Sequence, residues 1–159
     1  MNPRIETITE KKLVGKRMTM SYADYRIGKL WSSFMPGRSG ITNKLSNDLI
    51  SLVVYSPSHF AGFKLTNEFE RWAAVEVVSF DNVPAKMETY TLPGGLYAIF
   101  NYIGSGTGIS GFYQNIFNVW LPDSDYLLDD RAHVEVLGDK YRNNDPLSEE
   151  EIWIPVKVK

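Results

Sequence analysis

Two short segments set a carboxylate and an indole two residues apart: Glu70-Arg71-Trp72-Ala73 and Glu151-Ile152-Trp153-Ile154. Alternate residues of a strand point to opposite faces, so each Glu shares a side with its Trp. An indole face beside a carboxylate suits a flat, cationic, partly apolar ligand. The ring quadrupole attracts the cation by about 0.5–2 kcal/mol, and the carboxylate supplies the charge partner. If two such strands meet across a pseudo-twofold groove, that groove is acidic and aromatic. A Glu151 set low in it without a partner would have its pKa raised by desolvation, and a bound cation would restore the ionised form. The competing reading is a solvated strand entrance, because Glu149, Glu150 and Glu151 form a run of three acids. Further candidates are His133 and Glu135, which share one face of a strand, and Tyr97 and Tyr141, near the same sheet by order of elements.

Other chemistries find little support. Gly104-Ser105-Gly106-Thr107-Gly108 lies between a strand and a helix, where a phosphate-binding loop belongs, but its spacing is not that of a P-loop and no Lys-Ser/Thr follows. Two histidines leave little for a His-rich metal site, and Asp123, Asp125, Asp129 and Asp130 lack calcium-loop spacing. Gly108-Ile109-Ser110-Gly111 is not a nucleophile elbow. The sequence therefore implies neither metal nor cofactor, and recognition rather than catalysis.

The elements that must position these residues repeat. Thr9–Met20 reads as a half-exposed strand, and Ser21 with Asp24 as a helix start. Ile27, Leu30, Trp31, Phe34 and Met35 then draw one apolar stripe that Pro36-Gly37 ends. Strands follow at Leu49–Tyr55 and Glu70–Phe80. Past Asp81-Asn82-Val83-Pro84 the order recurs: a short strand Met87–Leu92, a turn at Pro93-Gly94-Gly95 and a strand Leu96–Ile103. An aromatic helix, ended by Pro122-Asp123, leads to strands Arg131–Leu137 and Glu150–Val158. Trp31, Phe34, Met35 and Pro36 correspond to Phe117, Trp120, Leu121 and Pro122, and the Glu-x-Trp strands correspond as well. The expectation is one α+β domain over 1–159, built from duplicated β-α-β-β units at about 5–82 and 86–159, with a curved antiparallel sheet.

At 159 residues, 43% hydrophobic, the chain is long enough to bury one core. A net charge of -2 argues against direct nucleic-acid binding. No window approaches the ~20 apolar residues that span a bilayer, and the start lacks the apolar region of a signal peptide. With no cysteine there is no disulfide framework, which fits the cytoplasm.

Leu92-Pro93-Gly94-Gly95-Leu96-Tyr97-Ala98-Ile99-Phe100, the helix end Trp120-Leu121-Pro122, Val134-Glu135-Val136 and Glu151-Ile152-Trp153-Ile154-Pro155-Val156 together resemble the GyrI-like small-molecule-binding domain, also called the AraC-type effector-binding domain. Leu30–Pro36 and Trp72–Val77 are similar to members that carry no DNA-binding helix-turn-helix. The resemblance implies a central cleft for lipophilic, often cationic compounds, with an acid of the Glu-Ile-aromatic-Ile-Pro strand as anchor. That acid maps onto Glu151, with Glu135 as a second. It also implies two alternatives: hydrolysis that opens strained rings of reactive xenobiotics with the same acid, or a protein-interaction module that modulates gyrase.

Overall fold

The computed structural model describes residues Met1–Lys159. Its first half runs β1 (Arg4–Ile8), β2 (Lys11–Met20), α1 (Ile27–Phe34), β3 (Leu49–Val54) and β4 (Phe69–Val77). The second runs β5 (Glu88–Leu92), β6 (Gly95–Ile103), α2 (Ile109–Asn115), β7 (Tyr126–Leu128), β8 (His133–Leu137) and β9 (Glu149–Val158). Beyond Asn115, α2 continues through a π-helical turn, Ile116–Trp120, into a last turn, Leu121–Asp123. The architecture is α+β, with every strand pair antiparallel, in the order β1-β6-β9-β8-β3-β4-β2-β5, and β7 on the far end of β9.

Leu52 stands opposite both Trp72 and Val134, and Val134 opposite Trp153, so the halves mirror one another about the β3–β8 seam. The edges are exchanged: β1 pairs with β6, and β5 with β2. Pro93-Gly94 is therefore not a hairpin turn, because β5 and β6 lie near opposite edges of the sheet and the chain crosses between them. Two such crossings touch, and a Cβ on Gly94 would meet the Ile8 carbonyl oxygen at 2.8 Å. The adjoining Gly95 has φ +150, and there a Cβ would strike the Arg131 guanidinium.

Three other features depart from the sequence reading. β1 and β7 are strands that the sequence did not announce. Both are short and neither buries a residue fully, so no dense apolar run marks them. Ser21 Oγ accepts the Asp24 N–H at 3.0 Å, but the helix starts only at Ile27. The Ala23 N–H is drawn instead to the Leu65 carbonyl, 2.9 Å away, which holds the segment out of the helical ladder.

The helices cover one face in two separate cores. Leu30 and Phe34 of α1 pack with Val14, Val53, Ala73 and Val75, while Ile116 packs with Phe100, Ile152, Ile154 and Val156. The other face folds on itself. Leu92 at one edge shares a cluster with Tyr97 and Ile99 near the other, which requires the sheet to curl. Each large aliphatic side chain buried in these clusters contributes about 1.5–3 kcal/mol.

Candidate ligand cleft

The Glu-x-Trp pairs lie on the face without helices. Trp72 Nε1 donates to Glu70 at 2.8 Å, and Trp153 Nε1 donates to Glu151 at 3.1 Å. One arginine reaches each carboxylate: Arg17, from the adjacent β2, lies 2.6 Å from Glu70, and Arg4, from β1 two strands away across β6, lies 2.8 Å from Glu151. Between the indoles lie Leu52 and Val134, with Tyr97 and Ile99, in one packed cluster that Trp153 also joins. The acidic aromatic groove expected between these strands is thus filled with core, and both carboxylates have their partners. Tyr97 is fully buried there, its hydroxyl donating to the Ala132 carbonyl at 3.3 Å and its ring beneath Arg131.

The cleft opens on the other face, over the seam where α1 and α2 leave the sheet uncovered. It has a volume of about 600 Å³, within the range of sites that enclose drug-sized ligands. Tyr25, Ile27, Trp31 and Met35 form the α1 wall. Tyr102, Gly104, Gly106 and Ile109 form the opposite one, and Tyr141 to Asn144 overhang it. Ser51 of β3, Arg71 of β4, Glu135 of β8 and Glu150 of β9 make the floor. Of the residues expected at the site, the fold brings Glu135 and Tyr141 into this cleft. Glu70, Trp72, Glu151, Trp153 and Tyr97 belong to the opposite face, although Glu151 also edges a shallow acidic groove beside β9.

The floor is polar and nearly dry. Arg71 is only 6% exposed. Its Nε and Nη2 donate to Ser51 Oγ at 3.0 and 2.9 Å, and Nη2 lies 3.5 Å from Glu135 Oε1. That same Glu135 oxygen accepts the Tyr113 hydroxyl at 2.7 Å. Glu150 is buried and its Oε1 has no hydrogen-bond partner. Burial first, then the nearby Glu135, pushes its pKa up to about 8, with Arg71 pulling the other way. At neutral pH Glu150 is therefore mostly an uncharged acid. Burial likewise raises the Tyr25 and Tyr113 phenols above their ordinary range.

Past Arg71 and Glu135 the floor continues into a cavity of about 100 Å³ among Tyr55, Phe60, Tyr113, Phe117 and His133. His133 stands edge-on to Tyr55 at 5.0 Å, and burial drives its pKa down to about 3, so it is a neutral wall. No group of three or more His, Asp or Glu side chains is arranged to hold a metal ion.

Sequence reasoning missed Glu150, Arg71, Ser51, Tyr25 and Tyr113. For Glu150 the signal was present: it shares strand parity with Ile152 and Ile154, the residues that lie beneath a helix. What drew the site to the other face was the acid-and-indole spacing, whose members bond to each other in the fold.

Duplicated β-α-β-β units around an aromatic-walled cleft define an α+β small-molecule-binding domain. The chain belongs to the GyrI-like family: the GyrI-like small molecule binding domain matches residues 1–157. Among solved structures, SAV2435 bound to tetraphenylphosphonium is similar at 17% identity and TM-score 0.73, over 99% of this chain and 94% of that one. The EcmrR C-terminal domain is similar at 16% identity and TM-score 0.70, over 99% and 98%. A hydrolase from Listeria innocua follows at 11% identity and TM-score 0.61, over 98% and 92%. At these identities the likeness is one of fold. No curated protein matches the chain by sequence. No helix is long and apolar enough to cross a membrane.

Proposed function

We propose that this protein binds lipophilic aromatic compounds with a cationic centre in the cleft between α1 and α2, and that Glu150 is the anionic anchor. One observation carries the reading: a buried carboxyl group with an unpartnered oxygen faces an aromatic-walled cleft of about 600 Å³. An unsatisfied buried polar group costs about 1–3 kcal/mol, and a cation set against the carboxylate offsets that cost by charge. A cation also draws Glu150 into its ionised form, so binding releases a proton. Trp31, Tyr25 and Tyr141 offer π faces to the ligand. The neighbour bound to tetraphenylphosphonium supports the choice of ligand class.

The test is titration with tetraphenylphosphonium, followed by tryptophan fluorescence and calorimetry. Saturable binding that weakens in Glu150→Gln is expected. No binding, or equal binding by the variant, contradicts the proposal. A second reading, hydrolysis of an electrophilic ligand, is favoured by a carboxyl group that keeps its proton to about pH 8, as a general acid requires. Turnover of a strained-ring substrate, lost in Glu150→Gln, would separate it from binding alone.

A further inference from the structure

The floor of the cleft carries a second group with unmet hydrogen-bonding capacity, opposite in sign to Glu150. A guanidinium has five N–H donors in a planar fork. On Arg71 the Nε–Nη2 edge is taken by the neutral Ser51 hydroxyl. Nη1 reaches only the Tyr25 hydroxyl, at 3.5 Å, a contact at the limit of a hydrogen bond. Glu135, 3.5 Å from Nη2, is no closer and gives its Oε1 to Tyr113. The Nη1–Nη2 end of the fork therefore lacks the two short bonds that a bidentate carboxylate supplies.

The fold itself does not require a charge here. By the register of the two halves, Arg71 on β4 corresponds to Ile152 on β9, as Trp72 does to Trp153. Ile152 is fully buried, an ordinary aliphatic member of the α2 core. Val53 likewise corresponds to Glu135, and Phe69 to Glu150. The twin positions fill equivalent places in the fold with apolar side chains, so the three charges mark the cleft rather than the sheet.

We infer that the cleft takes an amphoteric aromatic ligand, its carboxylate received end-on by the Arg71 fork and its cationic centre by Glu150. This rests on the proposed function and narrows it, since a purely cationic ligand leaves the Arg71 donors unanswered. Glu135 stays with Tyr113 as the internal counter-charge and lets the guanidinium remain buried in the empty site.

Rhodamine 110 and rhodamine 123 test the inference, because they share one cationic xanthene and differ only in a free carboxylate against its methyl ester. Binding of each to the wild-type protein is measured by fluorescence anisotropy above pH 8, with tetraphenylphosphonium as competitor. The acid is expected to bind about tenfold or more tightly than the ester, as a charge-assisted bidentate pair requires. Arg71→Met is expected to erase that preference while ester binding persists, and Arg71→Lys to restore only part of it. If Arg71→Met does not fold, the wild-type ratio together with Arg71→Lys decides. Equal or tighter binding of the ester by the wild type overturns the inference and leaves the proposed function standing. An acid preference undiminished in Arg71→Lys or Arg71→Met also overturns it. Failure of both dyes and of tetraphenylphosphonium to bind overturns the proposed function and the inference with it.

Discussion

Glu150 and Glu151 are neighbours on β9, and the fold treats their carboxyl groups in opposite ways. Glu151 faces the side without helices, where Trp153 and Arg4 complete its bonding. Glu150 faces the cleft, where Oε1 has no partner. The first half repeats only one of these arrangements. Glu70 with Trp72 reproduces Glu151 with Trp153, each acid also meeting an arginine though from non-equivalent strands, whereas the counterpart of Glu150 is Phe69, buried in the α1 core. The duplication is thus retained where acid and indole pair on the sheet, and lost at the floor of the cleft, where Arg71, Glu135 and Glu150 stand against apolar twins.

The sharpest way to break this comparison is to empty the floor of its cation. Arg71→Met leaves Glu135 buried without its counter-ion, and removing one partner of a buried pair costs about 3–5 kcal/mol, which thermal denaturation will show as a large fall in Tm. Glu150→Gln should leave the fold intact and weaken tetraphenylphosphonium binding by roughly tenfold to a hundredfold, the worth of a close, desolvated charge pair, since this cation has no hydrogen-bond donor. Glu150 also fixes the pH dependence. Because the proton competes with the ligand cation, affinity should rise with pH and level off above about 8, and calorimetry should find this slope absent in Glu150→Gln. Stability should run the other way. The Glu150 pKa is raised from 4.5 to about 8 in the fold, so its contribution is complete below the lower value and is lost as pH rises towards the upper. The Gln variant should show a flatter fall of Tm across that window. The smallest effect belongs to the opposite face. Glu151→Gln removes a partly exposed ion pair, which should cost under about 1 kcal/mol and leave ligand affinity within about twofold. A large loss of binding in Glu151→Gln would undo the comparison.

Much of the fold was legible because its signals are local. The apolar stripe of Ile27, Leu30, Trp31 and Phe34 marked α1, and dense β-branched runs marked β3 and β9. The exchange of β1 and β5 between halves was not legible, since the Pro93-Gly94-Gly95 signal is the same whether the chain turns back or crosses over. Strand parity correctly separated Ile152 and Ile154 from Glu151 and Trp153. From there the ligand was expected on the Glu151 and Trp153 side, whereas the open cleft lies on the other, because parity says which residues share a side and not what covers that side.

By itself, then, the sequence determined the repeated β-α-β-β order, the antiparallel α+β architecture and the placing of acid and indole on one side of a strand, all of which follow from periodicity and spacing; that the two bond to each other emerged only in the fold. Tertiary structure alone decided where the cleft lies. The gap between α1 and α2 depends on how two helices seat over a curled sheet, and the meeting of Arg71 with Glu135 depends on strands β4 and β8, which are remote in the chain and joined only through β3. Contacts of that kind are set by packing across the seam, and no local pattern of residues encodes them.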